Sequence, residues 1–176
     1  MDKPSKPRAL PAPTEPVVVL TRSLAERTIA ASRESDRKRV ILPLHKGPEE
    51  RLHRMFNAMQ PGTYVQPHRH LRADKTEGFL LLAGAIDFVV FDDGGEITLA
   101  RRLAAGSDAF GIDLAPGHYH SFLVRAPDTL VYEVKPGPYS PDLDKDFAPW
   151  APAEGSAGVP AYIAALEERL APLLAS

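Results

Sequence analysis

From Val40 to Lys135 the chain is a succession of short apolar or alternating runs, each soon broken by proline, glycine or aspartate. That spacing suits the strands of an all-β sandwich or barrel. Strands are expected near 39–44, 52–60, 63–67, 77–83, 86–92, 96–103, 108–113, 119–125 and 129–135. The sharpest hairpin signal is Asp92-Asp-Gly-Gly95, between Phe88-Val-Val-Phe91 and Glu96-Ile-Thr-Leu99, because glycine accepts the positive φ of a tight turn. Leu52, Met55, Phe56 and Met59 also fit a helical period, but Pro48 before them and Pro61-Gly62 after them favour a strand.

The ends read differently. Residues 1–16 hold five prolines (Pro4, Pro7, Pro11, Pro13, Pro16) and little that could pack, so a disordered lead is expected. Val17-Val-Val-Leu20 predicts a strand, and Ser23-Leu-Ala-Glu26 a capping box opening a helix to about Ser35. The expected organisation is therefore a strand–helix over 17–38, a barrel over 39–136, a proline- and aromatic-rich arm over 137–157 and a helix over 158–176. In the closing helix Ile163, Leu166, Leu170 and Leu173 recur at helical spacing.

Composition removes several function classes. With 176 residues and 44% hydrophobic content the chain suits one ordinary domain. Its 21 basic and 23 acidic residues give a net charge of −2, which argues against nucleic acid or an anionic membrane as the main partner. No apolar run approaches the roughly 20 residues that span a bilayer, and the charged N-terminus lacks the apolar core of a signal peptide. With no cysteine, any metal must be held by nitrogen and oxygen ligands. A cytoplasmic protein is expected.

The chemistry concentrates in Gly62-Thr-Tyr-Val-Gln-Pro-His68-Arg-His70, continuing through Glu77 to Gly84, and in Ala115-Pro-Gly-His118-Tyr-His120. Side chains alternate along a strand, so His68 and His70 share a face. With a carboxylate a short loop away and a further histidine from a distant strand, they can converge on one divalent metal.

The two segments resemble the two signatures of the cupin superfamily, in which the register selects His120 over His118 as ligand. Six residues separate His70 from Glu77 where the general pattern has three or four, and Val124 stands where the second signature usually has Asn. The flanks are similar to WbuC-like cupins of surface-polysaccharide systems. The residues carrying that likeness are Asn57 to His70, Phe91-Asp-Asp-Gly94, Tyr132-Glu-Val-Lys-Pro-Gly-Pro-Tyr139 and Asp144-Lys-Asp-Phe-Ala-Pro-Trp150. The resemblance, from about Val17 to Glu154, implies one cupin jelly-roll β-barrel. It also implies one divalent transition metal (Fe, Mn, Ni, Co or Zn) on His68, His70, Glu77 and His120, and no particular reaction.

His118 and Glu133 are the candidate acid/base residues, with Lys135 sharing the face of Glu133. His45 and His53 are read as structural or surface residues, and Tyr64, Phe79, Phe88, Phe122 and Tyr132 as lining or core. Arg69 and Arg72 are read as solvated, with anion binding as the sharper possibility. The arm from Tyr139 to Trp150 is expected to cover either the pocket mouth or an oligomer interface. The resulting expectation is a metal-dependent enzyme on a small molecule, related to a sugar or sugar-nucleotide, acting as an isomerase or lyase or as an Fe(II) oxygenase. The alternatives are a non-catalytic metal- or ligand-binding sensor domain and a metal-independent sugar epimerase. A homodimer is expected.

Overall fold

A computed structural model of the chain describes residues 8–140 and 144–175. Among these residues ten strands form two five-stranded antiparallel sheets that face each other, a jelly-roll barrel. The strands are β1 (Arg39–Pro43), β2 (Leu52–Met59), β3 (His68–Arg69), β4 (Glu77–Ala83), β5 (Ala85–Phe91), β6 (Ile97–Ala104), β7 (Gly111–Leu114), β8 (Tyr119–Val124), β9 (Thr129–Pro136) and β10 (Asp146–Phe147). The first sheet runs β1-β2-β9-β4-β7 and the second β10-β3-β8-β5-β6.

Two-residue periodicity explains which side chains meet. In β4, Glu77, Phe79 and Leu81 point inward while Leu80 and Leu82 are exposed. The inward aromatics Phe79, Phe88 and Phe122 pack with Ile86, Leu103 and Val131 between the sheets. The segment 52–60 is a strand, as its flanks favour. β2 pairs with β9 from Leu52↔Pro136 to Met59↔Thr129. The apolar run 63–67 is extended without being a strand, and only His68 and Arg69 pair. Its backbone is held by side chains instead, with Ser121 Oγ donating to the Val65 carbonyl at 2.7 Å and Arg39 Nη1 to the Tyr64 carbonyl at 2.6 Å.

The outer faces explain the two helices. α1 (Arg22–Glu34) lays Leu24, Ala25 and Ile29 on Val40, Leu42, Phe56 and Ala58 of the first sheet. α2 (Val159–Leu174) lays Leu166 and Leu170 on Val89, Phe91 and Leu123 of the second. α1 begins two residues earlier than the capping box places it. Thr21 is its N-cap, accepting from Leu24 N at 3.2 Å, and the Ser23 hydroxyl hydrogen-bonds that of Thr21 instead. No helix among the described residues is long and apolar enough to cross a membrane.

The N-terminal expectations need correction. Val17 to Leu20 forms no strand, and Val17 and Val19 are 77% and 71% exposed, because no sheet edge lies beside them. The free edge of β1 is taken by the proline-rich lead, where Ala9 bridges Ile41 in parallel and Leu10 N donates to the Ile41 carbonyl at 2.8 Å. Residues 1–7 of the expected disordered lead lie outside the described residues. The arm is ordered where described, with β10 pairing β3 and Trp150 packing against Phe91.

Two contacts yield predictions. Gly84 turns the chain from β4 to β5 at φ +73°, and a Cβ there would lie 2.2 Å from Thr129 Oγ1 and 2.7 Å from its Cα. Gly84→Ala should cost about 2–4 kcal/mol in denaturant unfolding; an unchanged midpoint would refute the turn argument.

Glu154 accepts from Arg39 Nη2 at 2.8 Å and from Arg37 Nε at 2.7 Å, clamping the arm to β1. Burial pushes the Glu154 carboxyl up, but the two guanidinium groups outweigh it and hold it below the usual range. A depressed folded-state pKa contributes stability that is present above the unfolded value, about 4.3, and lost as pH falls through the folded one. Glu154→Gln should therefore flatten the acid-side fall of the melting temperature, measured by circular dichroism from pH 7 to pH 3.

Candidate metal centre

The centre is built where the two sheets face each other. His68 on β3 stands directly opposite His120 on β8, and His70, two residues along, shares the face of His68. Glu77 comes from the other sheet, at the first residue of β4. The four side chains are buried, and one ligand atom from each lies within 4.8 Å of the other three. The longer loop between His70 and Glu77 does not displace the carboxylate. Glu77 Oε2 lies 3.1 Å from His120 Nε2 and 3.4 Å from His70 Nε2.

Each imidazole is oriented by the backbone. His68 Nδ1 faces the Gln66 carbonyl at 2.9 Å and His120 Nδ1 the His118 carbonyl at 3.1 Å, while His70 Nδ1 faces the carbonyl of Asp144. A proton on each Nδ1 satisfies these carbonyls and leaves an Nε2 lone pair aimed into the centre, the arrangement that metal-bound histidines use. Burial, reinforced by the nearby Lys145 and His120, holds His68 well below the usual imidazole range and keeps it a neutral lone-pair donor. The donor set fits a divalent transition metal, with imidazole nitrogens and one carboxylate.

A charged layer surrounds the centre. The register of β2, β9 and β4 sets Met55, Glu133 and Phe79 in one row across the inner face of the first sheet. In the neighbouring row Lys135 lies opposite His53 and 3.5 Å from Glu77 Oε1. Lys135 also lies 3.4 Å from Glu133 Oε1 and 3.5 Å from Asp144 Oδ2. Burial alone would lower its pKa, but the three carboxylates outweigh burial and raise it. Burial likewise pushes Glu77 up, and Lys135 with the His120 and His70 imidazoles reverses that, holding it well below the usual carboxylate range. Glu133 goes the other way, because burial raises it more than Lys135 lowers it. Asn57 Nδ2 donates to Glu133 Oε2 at 3.2 Å.

A cavity of about 620 Å³ opens from this layer, with His68, Glu77, His120, Glu133 and Lys135 on its wall. Glu133 and Lys135 therefore face inward, as strand alternation predicts. His118 does not: it is exposed and lies outside the cavity lining. The strand begins only at Tyr119, so alternation does not reach back through the Pro116-Gly117 turn, and His118 acts through its carbonyl on His120. His45 and His53, read as structural or surface residues, do line the cavity, with their rings stacked at 4.0 Å. Arg69 is tied up by Asp146 and Asp93 and lies over the Tyr119 ring, and Arg72 pairs with Asp74.

The arm supplies what the motif reading missed. Asp144 orients His70 with its carbonyl, and its carboxylate is buried between Lys75 Nζ at 3.0 Å and Lys135. Lys75 also donates to the Pro136 carbonyl at 2.7 Å and the Pro138 carbonyl at 3.1 Å. Tyr139, Lys145 and Phe147 close one side of the cavity. The only sequence signal for this role is the charged Asp144-Lys-Asp146 triplet inside a proline- and aromatic-rich segment.

A family model described as a domain of unknown function (DUF6016) matches residues 20–103. No curated protein matches the chain significantly. Among solved structures, KdgF from Halomonas sp. is similar over 59% of this chain and 82% of its own, at 21% identity and a TM-score of 0.46. Oxalate decarboxylase from Bacillus subtilis is similar over 62% of this chain, at 16% identity and a TM-score of 0.48. Procruciferin, an 11S globulin from Brassica napus, is similar over 55% of this chain and 22% of its own, at 14% identity and a TM-score of 0.42. The present chain spans only 27% of the oxalate decarboxylase chain.

Proposed function

We propose that the chain is a cupin metalloprotein that holds one divalent transition metal on His68, His70, Glu77 and His120 and acts as a metal-dependent enzyme on a small molecule. The observation that carries this reading is the convergence of three backbone-oriented Nε2 atoms and one buried carboxylate beside a 620 Å³ cavity. Burying four ionisable groups this closely is costly without an occupant that satisfies them. A divalent metal there would supply Lewis-acid polarisation or, as iron, oxygen chemistry.

The protein's own residues have separable tasks. The carbonyls of Gln66, Asp144 and His118 fix the imidazole tautomers, and Lys135 keeps Glu77 anionic. Glu133 is the candidate for proton transfer because it lines the cavity and, unlike Glu77, is not engaged by the histidines. The WbuC-like motifs support a sugar or sugar-nucleotide context, with isomerase or lyase chemistry the non-redox form of the reading and an oxygenase the redox form.

Elemental analysis of untagged protein should find about one equivalent of Fe, Mn, Ni, Co or Zn, and none in His68→Ala/His120→Ala at the same folded content by circular dichroism. Parent protein that takes up no metal, even after reconstitution, would refute the reading. The homodimer is part of the proposal, supported by Leu80, Leu82 and Phe110, which are exposed where β4 meets the edge of its sheet. Light scattering should give about twice the 19.2 kDa chain mass, and Leu80→Glu/Leu82→Glu should halve it; a monomeric parent would refute this part.

A further inference from the structure

Among the described residues, one lysine of the charged layer around the centre has no partner. Lys145, beside β10, lines the cavity, and among the described residues no hydrogen bond or ion pair reaches its ammonium. The other two lysines of the layer are spent. Lys75 is held by two carbonyls and Asp144, and Lys135 by Glu77, Glu133 and Asp144. Lys145 is close enough to the centre to act electrostatically on His68, Glu77 and Glu133. Lys145 is half-buried and lies in the cavity wall.

The charge balance points the same way. Lys75, Lys135 and Lys145 match Glu77, Glu133 and Asp144 one for one before any metal enters. A divalent ion would leave the enclosed layer with a surplus of two positive charges, which favours an anionic occupant where the dielectric is low. On the same wall Asn57 gives its amide hydrogen to Glu133, while its Oδ1 is buried without a partner. An unsatisfied buried acceptor asks for a donor such as a hydroxyl. Val65, Phe79 and Phe122 supply apolar lining between the polar groups.

We propose that the cavity takes a small hydroxylated carboxylic acid, with its carboxylate on Lys145 and a hydroxyl on Asn57 Oδ1. This assignment rests on the metal reading above and names the substrate class of the same site. Burial and the neighbouring Lys135 lower Lys145 to about 8, so it is still mostly cationic at neutral pH. Its cationic form is what carboxylate binding requires, and affinity should fall as pH rises past that value.

The test is calorimetric titration of Co(II)-loaded protein with hydroxymalonate, malonate, malonamide and inorganic phosphate, after measuring cobalt stoichiometry on the same samples. Hydroxymalonate should bind more tightly than malonate, and malonamide and phosphate should bind weakly. Lys145→Met should lose about tenfold or more in hydroxymalonate affinity with cobalt content unchanged, and Lys145→Arg should recover most of it. Equal affinity in Lys145→Met, or tight binding of malonamide or phosphate, would overturn the carboxylate assignment. Equal affinities for malonate and hydroxymalonate would overturn the hydroxyl contact. Failure to load cobalt would instead refute the underlying metal reading, which the stoichiometry reports separately. Should Lys145→Met not fold, the same comparison with Lys145→Gln provides the decision.

Discussion

Glu77 is the group on which the site depends. A carboxylate with almost no solvent contact is among the most expensive things a fold can bury, and its partners are His120 on β8, Lys135 on β9 and His70, which lies just past β3. None of those partners is near it in sequence except His70. The sheets must therefore be correctly registered before the carboxylate is satisfied, and a one-residue slip in β4 would turn it to solvent and bring a leucine inside. The charge network thus rewards one register over its neighbours.

The barrel divides the labour between its two sheets. The second sheet and the residue just past β3 supply three imidazoles, each facing a backbone carbonyl. The first supplies Glu77, Glu133 and Lys135, with His53 opposite Lys135. Facing a nitrogen layer with a carboxylate layer produces a hard–borderline donor set without cysteine. Phe79, Phe88 and Phe122 form a packed apolar core, and Phe79 and Phe122 also reach the cavity wall beside the polar groups.

Much of this was legible in the sequence because it follows from periodicity. Alternation in β4 and β9 places Glu77, Glu133 and Lys135 on inner faces, the His68-x-His70 spacing places both rings together, and the Leu and Ile spacing of α2 marks it as a helix. What was not legible depends on tertiary partners. Val17 to Leu20 has a strand's composition but no edge to join, whereas the lead around Ala9 has none of that composition and finds the edge of β1. His118 and His120 are two residues apart, but β8 begins only at Tyr119, so alternation does not carry His118 to the inner face. The roles of Asp144 and Lys145 are set by where the arm lands, and no local pattern encodes a landing site 74 residues from His70.

The same arm carries a thermodynamic consequence. Its Asp144 carbonyl steadies His70, its Asp144 carboxylate closes the ring of charges, and Lys145 reaches the cavity from beside β10. Whatever fills the barrel and whatever fastens the arm are consequently linked equilibria, and each must favour the other by the same free energy. An occupant would tighten the strap that encloses it, and a loosened strap would weaken retention of the occupant. The arm is in this sense a reporter of the barrel's contents, legible from outside in how firmly its described residues stay docked.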